Sequence, residues 1–335
     1  MRSRKAMSKL SVVIPALNEE RSIAQVIERL LAIRPQLQAA GVHEMEILVV
    51  DDGSSDGTAQ AVVPLSARAR QMGISVQLFP HGYNLGYGAA LQTGFLHAQG
   101  DILAFLDADS TYPPEELPRL CQACLMWGVD MVIGSRMCGG PSQMPAIRRL
   151  GNLLFAQLVS LLTGQQVSDC ASGMRVLRVS TWKQLQQPQP LPTGLEFTPA
   201  MTVRALYKHL HVHEVTISYS ERVGRSKLKV VRDGIRFLKA IMSETRTQRP
   251  RRLQQVAVRG MVLPTLDLTA TLLGIACWQH GPWPARLLLG ILGALTAVLL
   301  VRWTLPVQPR RQLVTMPQPA AIRAVEQVAL DKRSE

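Results

Sequence analysis

The stretch DILAFLDAD, residues 101–109, decides the fold class. Its central apolar run is too short for a helix and is typical of a buried strand. The tandem prolines at 113–114 prevent that strand from continuing. Asp107 and Asp109 therefore stand where a buried strand passes into a loop, and in an open α/β sheet the carboxyl end of a strand is where ligands bind.

Two carboxylates separated by one residue repel each other, and this repulsion raises the pKa of one of them. A hard divalent cation, Mg²⁺ or Mn²⁺, shared with a diphosphate group is the simplest relief. The sequence therefore predicts a metal site made by Asp107 and Asp109. The alternative is that Asp107 only ends a strand and Asp109 only caps a turn.

Four more stretches of strand length with apolar centres precede or follow this one, at residues 10–14, 46–52, 75–79 and 131–136. Stretches with helical periodicity separate them; in the first, apolar residues recur at 23, 26, 27, 30 and 31. Strands that alternate with helices predict an α/β protein with a doubly wound, mostly parallel sheet.

The glycine-rich loop NLGYGAA, residues 84–90, resembles half of the dinucleotide fingerprint G-x-G-x-x-G. The third glycine is absent, since Leu91 occupies its place, and the loop follows the third predicted strand rather than the first. These two departures argue against a dehydrogenase.

The positive charge is concentrated in the last third of the chain. Residues 1–219 hold 18 Lys/Arg and 17 Asp/Glu, whereas residues 220–335 hold 19 and 7. Such a local basic surface suits nucleic acid or an anionic membrane. The five cysteines form no paired metal motif and are expected to be reduced thiols, and the basic start of the chain leads into a strand rather than a signal peptide.

Two apolar segments, residues 260–278 and 287–303, each have about the ~20 residues that a membrane helix needs. Arginines flank their outer ends, so the positive-inside rule places both ends in the cytoplasm. We expect two transmembrane helices within 256–305, and Pro264 and Asp267 weaken the first. A basic region beside an apolar hairpin favours lipid over nucleic acid.

The two predicted membrane segments divide the rest of the chain into three parts. Residues 1–219 are expected to form a cytoplasmic domain, 220–255 a basic amphipathic segment lying in the headgroup layer, and 306–335 a disordered cytoplasmic tail. The predicted location is the inner or cell membrane, with several passes. A homo-oligomer is compatible with the sequence.

Seven blocks in order are similar to the family 2 glycosyltransferases of GT-A fold, and most of all to the dolichyl-phosphate mannosyltransferase and bactoprenyl glucosyltransferase group. The resemblance covers residues 10 to 245. The blocks are VVIPALNE (12–19), VVDDGSSDGT (49–58), NLGYGAA (84–90), LDAD (106–109), GSR (134–136), DCASGMR (169–175) and ERVGRSKL (221–228).

The resemblance implies roles for individual residues. Those expected to bind the nucleotide sugar, a UDP- or GDP-hexose, are Pro15, Leu17, Glu19, Val50, Asp52, Asp107, Ala108, Asp109 and Arg136. Those expected to be catalytic are Asp109, Arg136, Arg222 and Lys227, and those expected to grip the acceptor are Arg148, Arg149, Arg175, Arg222 and Lys227. The sequence departs from the family at Leu17, where an aromatic is common, and at Ala200, where many relatives carry a carboxylate.

The resemblance also implies a polyprenyl phosphate as the acceptor. Such an acceptor is already an anion, so it needs cations to hold it rather than a general base. The expected reaction is direct displacement with inversion, and leucines at 150–161 are candidates for contact with the prenyl chain. Two alternatives stay open. One is a hydroxyl acceptor, for which Glu196 or Asp169 would serve as base; the other is a non-catalytic membrane adaptor that keeps the fold.

Overall fold

The computed structural model describes residues 8–126, 128–224 and 230–248. Seven strands form one sheet in the order β3-β2-β1-β4-β6-β5-β7. The strands are β1 (Ser8–Ala16), β2 (Val42–Asp51), β3 (Ser75–Pro80), β4 (Ile102–Phe105), β5 (Met131–Ser135), β6 (Arg175–Arg178) and β7 (Val212–Thr216).

The helices cover both faces of this sheet. They are α1 (Ile23–Ala32), α2 (Arg34–Ala39), α3 (Thr58–Gln71), α4 (Tyr87–His97), α5 (Leu117–Met126), α6 (Ala146–Thr163), α7 (Val179–Leu185), α8 (Phe197–Tyr207) and α9 (Val230–Gln248). One apolar core lies under α1, α2, α3 and α5, and the other under α4 and α6 to α9. The predicted doubly wound, mostly parallel sheet is therefore confirmed.

Strand β1 shows why the central strands read as continuous apolar runs. Val12 and Ile14 enter the first core, while Val13 between them enters the second. Because both faces are covered by helices, the consecutive residues of this central run are all apolar, as is usual in parallel sheets.

Strand β6 was not predicted, because only two apolar residues separate Arg175 from Arg178. It runs antiparallel to both β4 and β5, and Phe105 at the end of β4 pairs with Arg175 at the start of β6. The loop before β6 consequently lies beside the loop after β4, which carries the two aspartates.

Helix α9 is tied to this body by a buried ion pair. Arg204 on α8 donates to Glu244 on α9 through Nε at 2.9 Å, and also donates from Nη1 to the carbonyls of Leu185 and Gln189. Arg204 is fully buried, and Glu244 is nearly so. The ring of Phe155 on α6 lies 5.8 Å from that of Phe237, so α9 also packs on α6.

Several predictions concern residues outside the described ranges. These are both membrane segments, the tail 306–335, the first residues of the chain and Lys227. Among the residues that the structure does describe, no helix combines the length and the apolar character needed to cross a bilayer.

Candidate active site

Asp107 and Asp109 follow β4 at the carboxyl edge of the sheet, as the sequence predicts. The hydroxyl of Tyr87 donates to Oδ1 of Asp107 at 2.8 Å. Oδ1 of Asp109 accepts from the backbone N–H and the hydroxyl of Thr111, at 3.1 and 2.6 Å. Both carboxylates are thus oriented by neighbouring donors.

The electrostatic conflict expected from the sequence is present. Burial, and after it the charge of Asp109, raises the pKa of Asp107 from 3.8 to about 7. Burial also raises the pKa of Tyr87 well above its ordinary value, so its hydroxyl stays a donor at neutral pH. The two adjacent carboxylates disfavour each other's charged form. A hard divalent cation bound between them would favour the charged form of both.

Arg222 supplies a positive charge to this pair from the loop after β7. Its Nη1 lies 2.9 Å from Oδ2 of Asp109, and its Nη2 donates to Oε1 of Glu19. The backbone N–H of Val223 donates to the carbonyl of Asp109 at 3.2 Å. A segment more than a hundred residues away in sequence thus closes over the aspartates.

The residues predicted to line the nucleotide pocket meet at the same edge. Pro15 on β1 pairs in register with Val50 on β2, and both are buried. Leu17 is half-buried just beyond β1, and the N–H of Glu19 donates to the hydroxyl of Thr58 at 2.8 Å. Ala108, between the two aspartates, is buried. The sheet therefore brings these residues together, whereas their contacts with a nucleotide stay a prediction.

Asp52, predicted to bind the nucleotide sugar, accepts hydrogen bonds from the backbone of the glycine-rich loop. Its Oδ1 accepts from the N–H of Leu85 and its Oδ2 from the N–H of Gly86, both at 2.9 Å, and Nδ1 of His81 lies 2.8 Å from Oδ1. The side chain is thus occupied in holding the glycine-rich loop. A role toward the base or ribose stays a prediction.

Arg136 makes a buried ion pair with Asp169. Its Nε and Nη2 donate to the two carboxylate oxygens at 2.7 Å each, and its guanidinium lies 5.8 Å and 5.4 Å from the ring centroids of Tyr112 and Tyr219. Burial acts to raise the pKa of Asp169, but the charge and hydrogen bonds of Arg136, together with the charge of Arg175, lower this pKa overall. Asp169 is therefore a weak proton acceptor.

Arg175, predicted to grip the acceptor, lies in the interior of the described protein. It is fully buried, with Nε donating to the carbonyl of Ser172 at 3.1 Å and Nη2 to that of Cys170 at 2.7 Å. Burial lowers the pKa of its guanidinium to about 10. The structure assigns Arg175 to holding the loop before β6, because its donors are taken up by that loop's carbonyls.

Arg148 and Arg149 lie in the first turn of α6, and Arg149 is exposed. The segment before α6 is joined to the Arg222 loop, since the N–H of Gln143 donates to the carbonyl of Tyr219 at 2.9 Å and the N–H of Glu221 donates to the Gln143 side chain at 2.6 Å. The beginning of α6 is thereby attached to the loop that carries Arg222.

Sequence reasoning did not assign a role to Tyr87 or Thr111. Thr111 follows Asp109 by two residues, a spacing at which an aspartate commonly accepts from the backbone of its own turn. Tyr87 lies in the glycine-rich loop, and nothing in its local sequence indicates that it contacts a carboxylate twenty residues later.

The raised pKa of Asp107 predicts a pH-dependent stability for the metal-free protein. The folded chain holds this proton more tightly than the unfolded chain, so Asp107 costs the fold stability as pH rises from about 4 to about 7. Asp107→Asn removes that cost, and in EDTA its thermal midpoint should exceed the parent's by more at pH 8 than at pH 5. Glu44→Gln, at an exposed carboxylate of β2, is the control. An increase in thermal midpoint that is the same at pH 5 and pH 8 would contradict the raised pKa of Asp107.

Comparison with known proteins agrees with this geometry. Residues 11–185, just over half of the chain, match the model of glycosyl transferase family 2. The low-salt glycan biosynthesis hexosyltransferase Agl6 of Haloferax volcanii is 35% identical over 236 residues, which span 70% of this chain and 53% of that relative, about half of its length.

Two further relatives are covered more fully. The dolichyl-phosphate hexose transferase of Haloferax volcanii is 31% identical, over 70% of this chain and 92% of its own. The undecaprenyl-phosphate 4-deoxy-4-formamido-L-arabinose transferase of Photorhabdus laumondii is 30% identical, over 81% and 80%.

Among solved structures, glucosyl-3-phosphoglycerate synthase from Mycobacterium tuberculosis, in complex with Mn²⁺, UDP and glucosyl-3-phosphoglycerate, superposes with a TM-score of 0.54. The two sequences are 22% identical, and the superposition covers 72% of this chain and 81% of the synthase chain. This likeness shows a shared GT-A-like fold. The family match and the identity to the two relatives that are covered over 92% and 80% of their length lead to one assignment: the chain belongs to glycosyl transferase family 2.

Proposed function

We propose that this glycosyltransferase moves a hexose from a nucleotide diphosphate sugar to a polyprenyl phosphate, with inversion, at the cytoplasmic face of a membrane. The observation that carries the acceptor class is the double ion pair of Arg222 with Asp109 and Glu19. It places a cation, rather than a free base, beside the predicted metal carboxylates. Two relatives have names that refer to transfer with dolichyl or undecaprenyl phosphate, which supports the same class.

Asp107 and Asp109 would hold Mg²⁺ or Mn²⁺. The fit rests on the donor set, two carboxylates that follow β4 and are each oriented by a neighbouring hydroxyl, that of Tyr87 for Asp107 and that of Thr111 for Asp109. The raised pKa of Asp107, caused by burial and by the nearby charge of Asp109, agrees with this. Structures of glucosyl-3-phosphoglycerate synthase contain Mn²⁺ or Mg²⁺ together with UDP. When bound, the cation would neutralise charge on the departing nucleoside diphosphate.

A phosphate acceptor needs to be held in line with the anomeric carbon, and its oxygen has no proton to lose. Arg222 is proposed to hold such an anion once Asp109 has another cation as its partner, because it already contacts Asp109. Arg148 and Arg149 begin the helix attached to the Arg222 loop and are proposed to contribute to the same grip, together with Lys227. Arginine suits this task because its fork matches phosphate oxygens.

A hydroxyl acceptor is the main alternative and requires a general base. Asp169 is disfavoured for that role, because its carboxylate is fully buried and paired with Arg136 through two hydrogen bonds. Glu196 is the remaining candidate, since its Oε2 is buried and has no hydrogen-bond partner among the described residues. A non-catalytic adaptor is disfavoured by the retained pair of aspartates, whose repulsion has no use without a cation.

The membrane part of the proposal rests on helices α6 and α9. Each exposes large apolar side chains although the two helices pack against each other. Those more than 40% exposed are Ile147, Leu150, Leu154, Val230, Val231, Ile235 and Leu238. Basic residues lie among them, at 148, 149, 232, 236 and 239. Apolar and basic side chains on one pair of helices suit the headgroup layer of an anionic bilayer.

The proposed organisation keeps the predicted divisions: a cytoplasmic catalytic domain over 1–219, a basic juxtamembrane segment over 220–255, two transmembrane helices within 256–305 and a cytoplasmic tail. The proposed partners are a UDP- or GDP-hexose, a polyprenyl phosphate and membrane lipids, without nucleic acid. An assembly of identical chains is compatible with it.

Three variants in one transfer assay separate the two acceptor classes. With saturating donor, Arg222→Ala and Lys227→Ala should each lower turnover, since a charge-assisted bond is worth roughly 1.5–3 kcal/mol, or about ten- to a hundredfold in rate. Glu196→Gln should change turnover little, because a phosphate acceptor needs no base. Arg119→Ala, at an exposed arginine on α5, is the matched control for loss of a cation.

A hydroxyl acceptor would reverse this order, because loss of a general base costs about 10²–10⁴-fold. An inactive Glu196→Gln enzyme, alongside active Arg222→Ala and Lys227→Ala enzymes, would therefore overturn the polyprenyl phosphate proposal.

The membrane hairpin predicts a difference between the full chain and a chain that ends at Gln248, the last residue of α9. The full chain should stay in the membrane pellet after a carbonate wash and require detergent. The shortened chain keeps the Arg204–Glu244 pair and should leave the pellet without detergent while still binding nucleotide. A full-length chain that is soluble without detergent would refute the hairpin.

A further inference from the structure

Tyr87 is the first residue of α4, and its hydroxyl donates to Oδ1 of Asp107 at 2.8 Å. None of the predicted roles of the site includes this side chain. Within the described residues, the other carboxylate oxygen of Asp107 has no hydrogen-bond donor.

The backbone that carries Tyr87 is held from two directions. Gly86 has φ of 108°, and a Cβ there would lie 2.5 Å from the carbonyl oxygen of Thr193. On the other side, the carboxylate of Asp52 accepts from the N–H groups of Leu85 and Gly86 at 2.9 Å each. The contacts of residues 85 and 86 therefore fix the backbone position from which the Tyr87 side chain extends.

Asp107 is confined from the opposite side by Gly173. A Cβ on Gly173 would lie 2.7 Å from both carboxylate oxygens of Asp107. The N–H of Gly173 donates to the hydroxyl of Tyr112 at 2.7 Å, so this backbone is itself held in place. The carboxylate thus lies between the Tyr87 hydroxyl and the Gly173 backbone.

We propose that Tyr87 is a positioning residue for a divalent cation: its hydroxyl takes one oxygen of Asp107, orients the carboxylate and leaves the other oxygen for the cation. This inference rests on the proposed cation-dependent function. Hydrogen-bonding partners behind a metal ligand fix its orientation, and their loss commonly costs about 10–100-fold in metal affinity.

The test compares Mn²⁺ binding by full-length parent and Tyr87→Phe proteins, measured from the electron paramagnetic resonance signal of free Mn²⁺ with UDP or with GDP present. Tyr87→Phe should weaken Mn²⁺ binding about 10–100-fold, with little change in thermal midpoint in EDTA. In the transfer assay, excess Mn²⁺ should restore most of the turnover. Tyr207→Phe is the matched control, because that hydroxyl donates to the carbonyl of Leu162, on α6.

If Tyr87→Phe does not fold, a second variant tests the premise of the inference, which is that the orientation of the Asp107 carboxylate controls Mn²⁺ binding. Gly173→Ala adds a methyl group that pushes on the Asp107 carboxylate from the other side, and it should also weaken Mn²⁺ binding. Unchanged or tighter Mn²⁺ binding by a folded Tyr87→Phe protein, or by Gly173→Ala in its place, would overturn the inference. If the parent itself binds no Mn²⁺, the proposed cation dependence fails first, and the role of Tyr87 fails with it.

Discussion

The repulsion between Asp107 and Asp109 is the constraint on which the rest of the site depends. Both carboxylates follow a buried strand, and the pKa of Asp107 is raised to about 7 by burial and by its neighbour. A pair of this kind is stable in the charged form only beside positive charge. In the structure, Arg222 provides part of that charge by contacting Asp109 and Glu19.

The topology of the sheet explains how distant segments meet at this pair. Strands β1, β2 and β4 are parallel neighbours, so their carboxyl ends deliver Pro15, Val50 and Asp107 to one edge. The antiparallel β6 begins where β4 ends, and it brings Gly173 against Asp107. The loop after β7 then covers the aspartates. The site therefore combines contributions from nearly the whole described chain.

Local patterns predicted most of the strands and the position of the two aspartates, because an apolar run followed by carboxylates and prolines has few other interpretations. The same patterns did not reveal β6, whose two apolar residues lie between arginines. The partners of Asp52, Arg136 and Arg175 depend on which segments are neighbours in the sheet. An arginine that holds a loop from within and an arginine that binds a phosphate look alike in sequence, and burial separates them only after folding.

The most direct test of a cation-dependent transfer to phosphate uses the full-length protein, a panel of labelled UDP- and GDP-hexoses, and two lipid acceptors that differ only in the phosphate. Undecaprenyl phosphate should yield a labelled lipid in the presence of Mg²⁺ or Mn²⁺, and EDTA should abolish the product. Undecaprenol, the matched alcohol, should yield none. Labelling of the alcohol, or full activity on the phosphate in EDTA, would contradict the account.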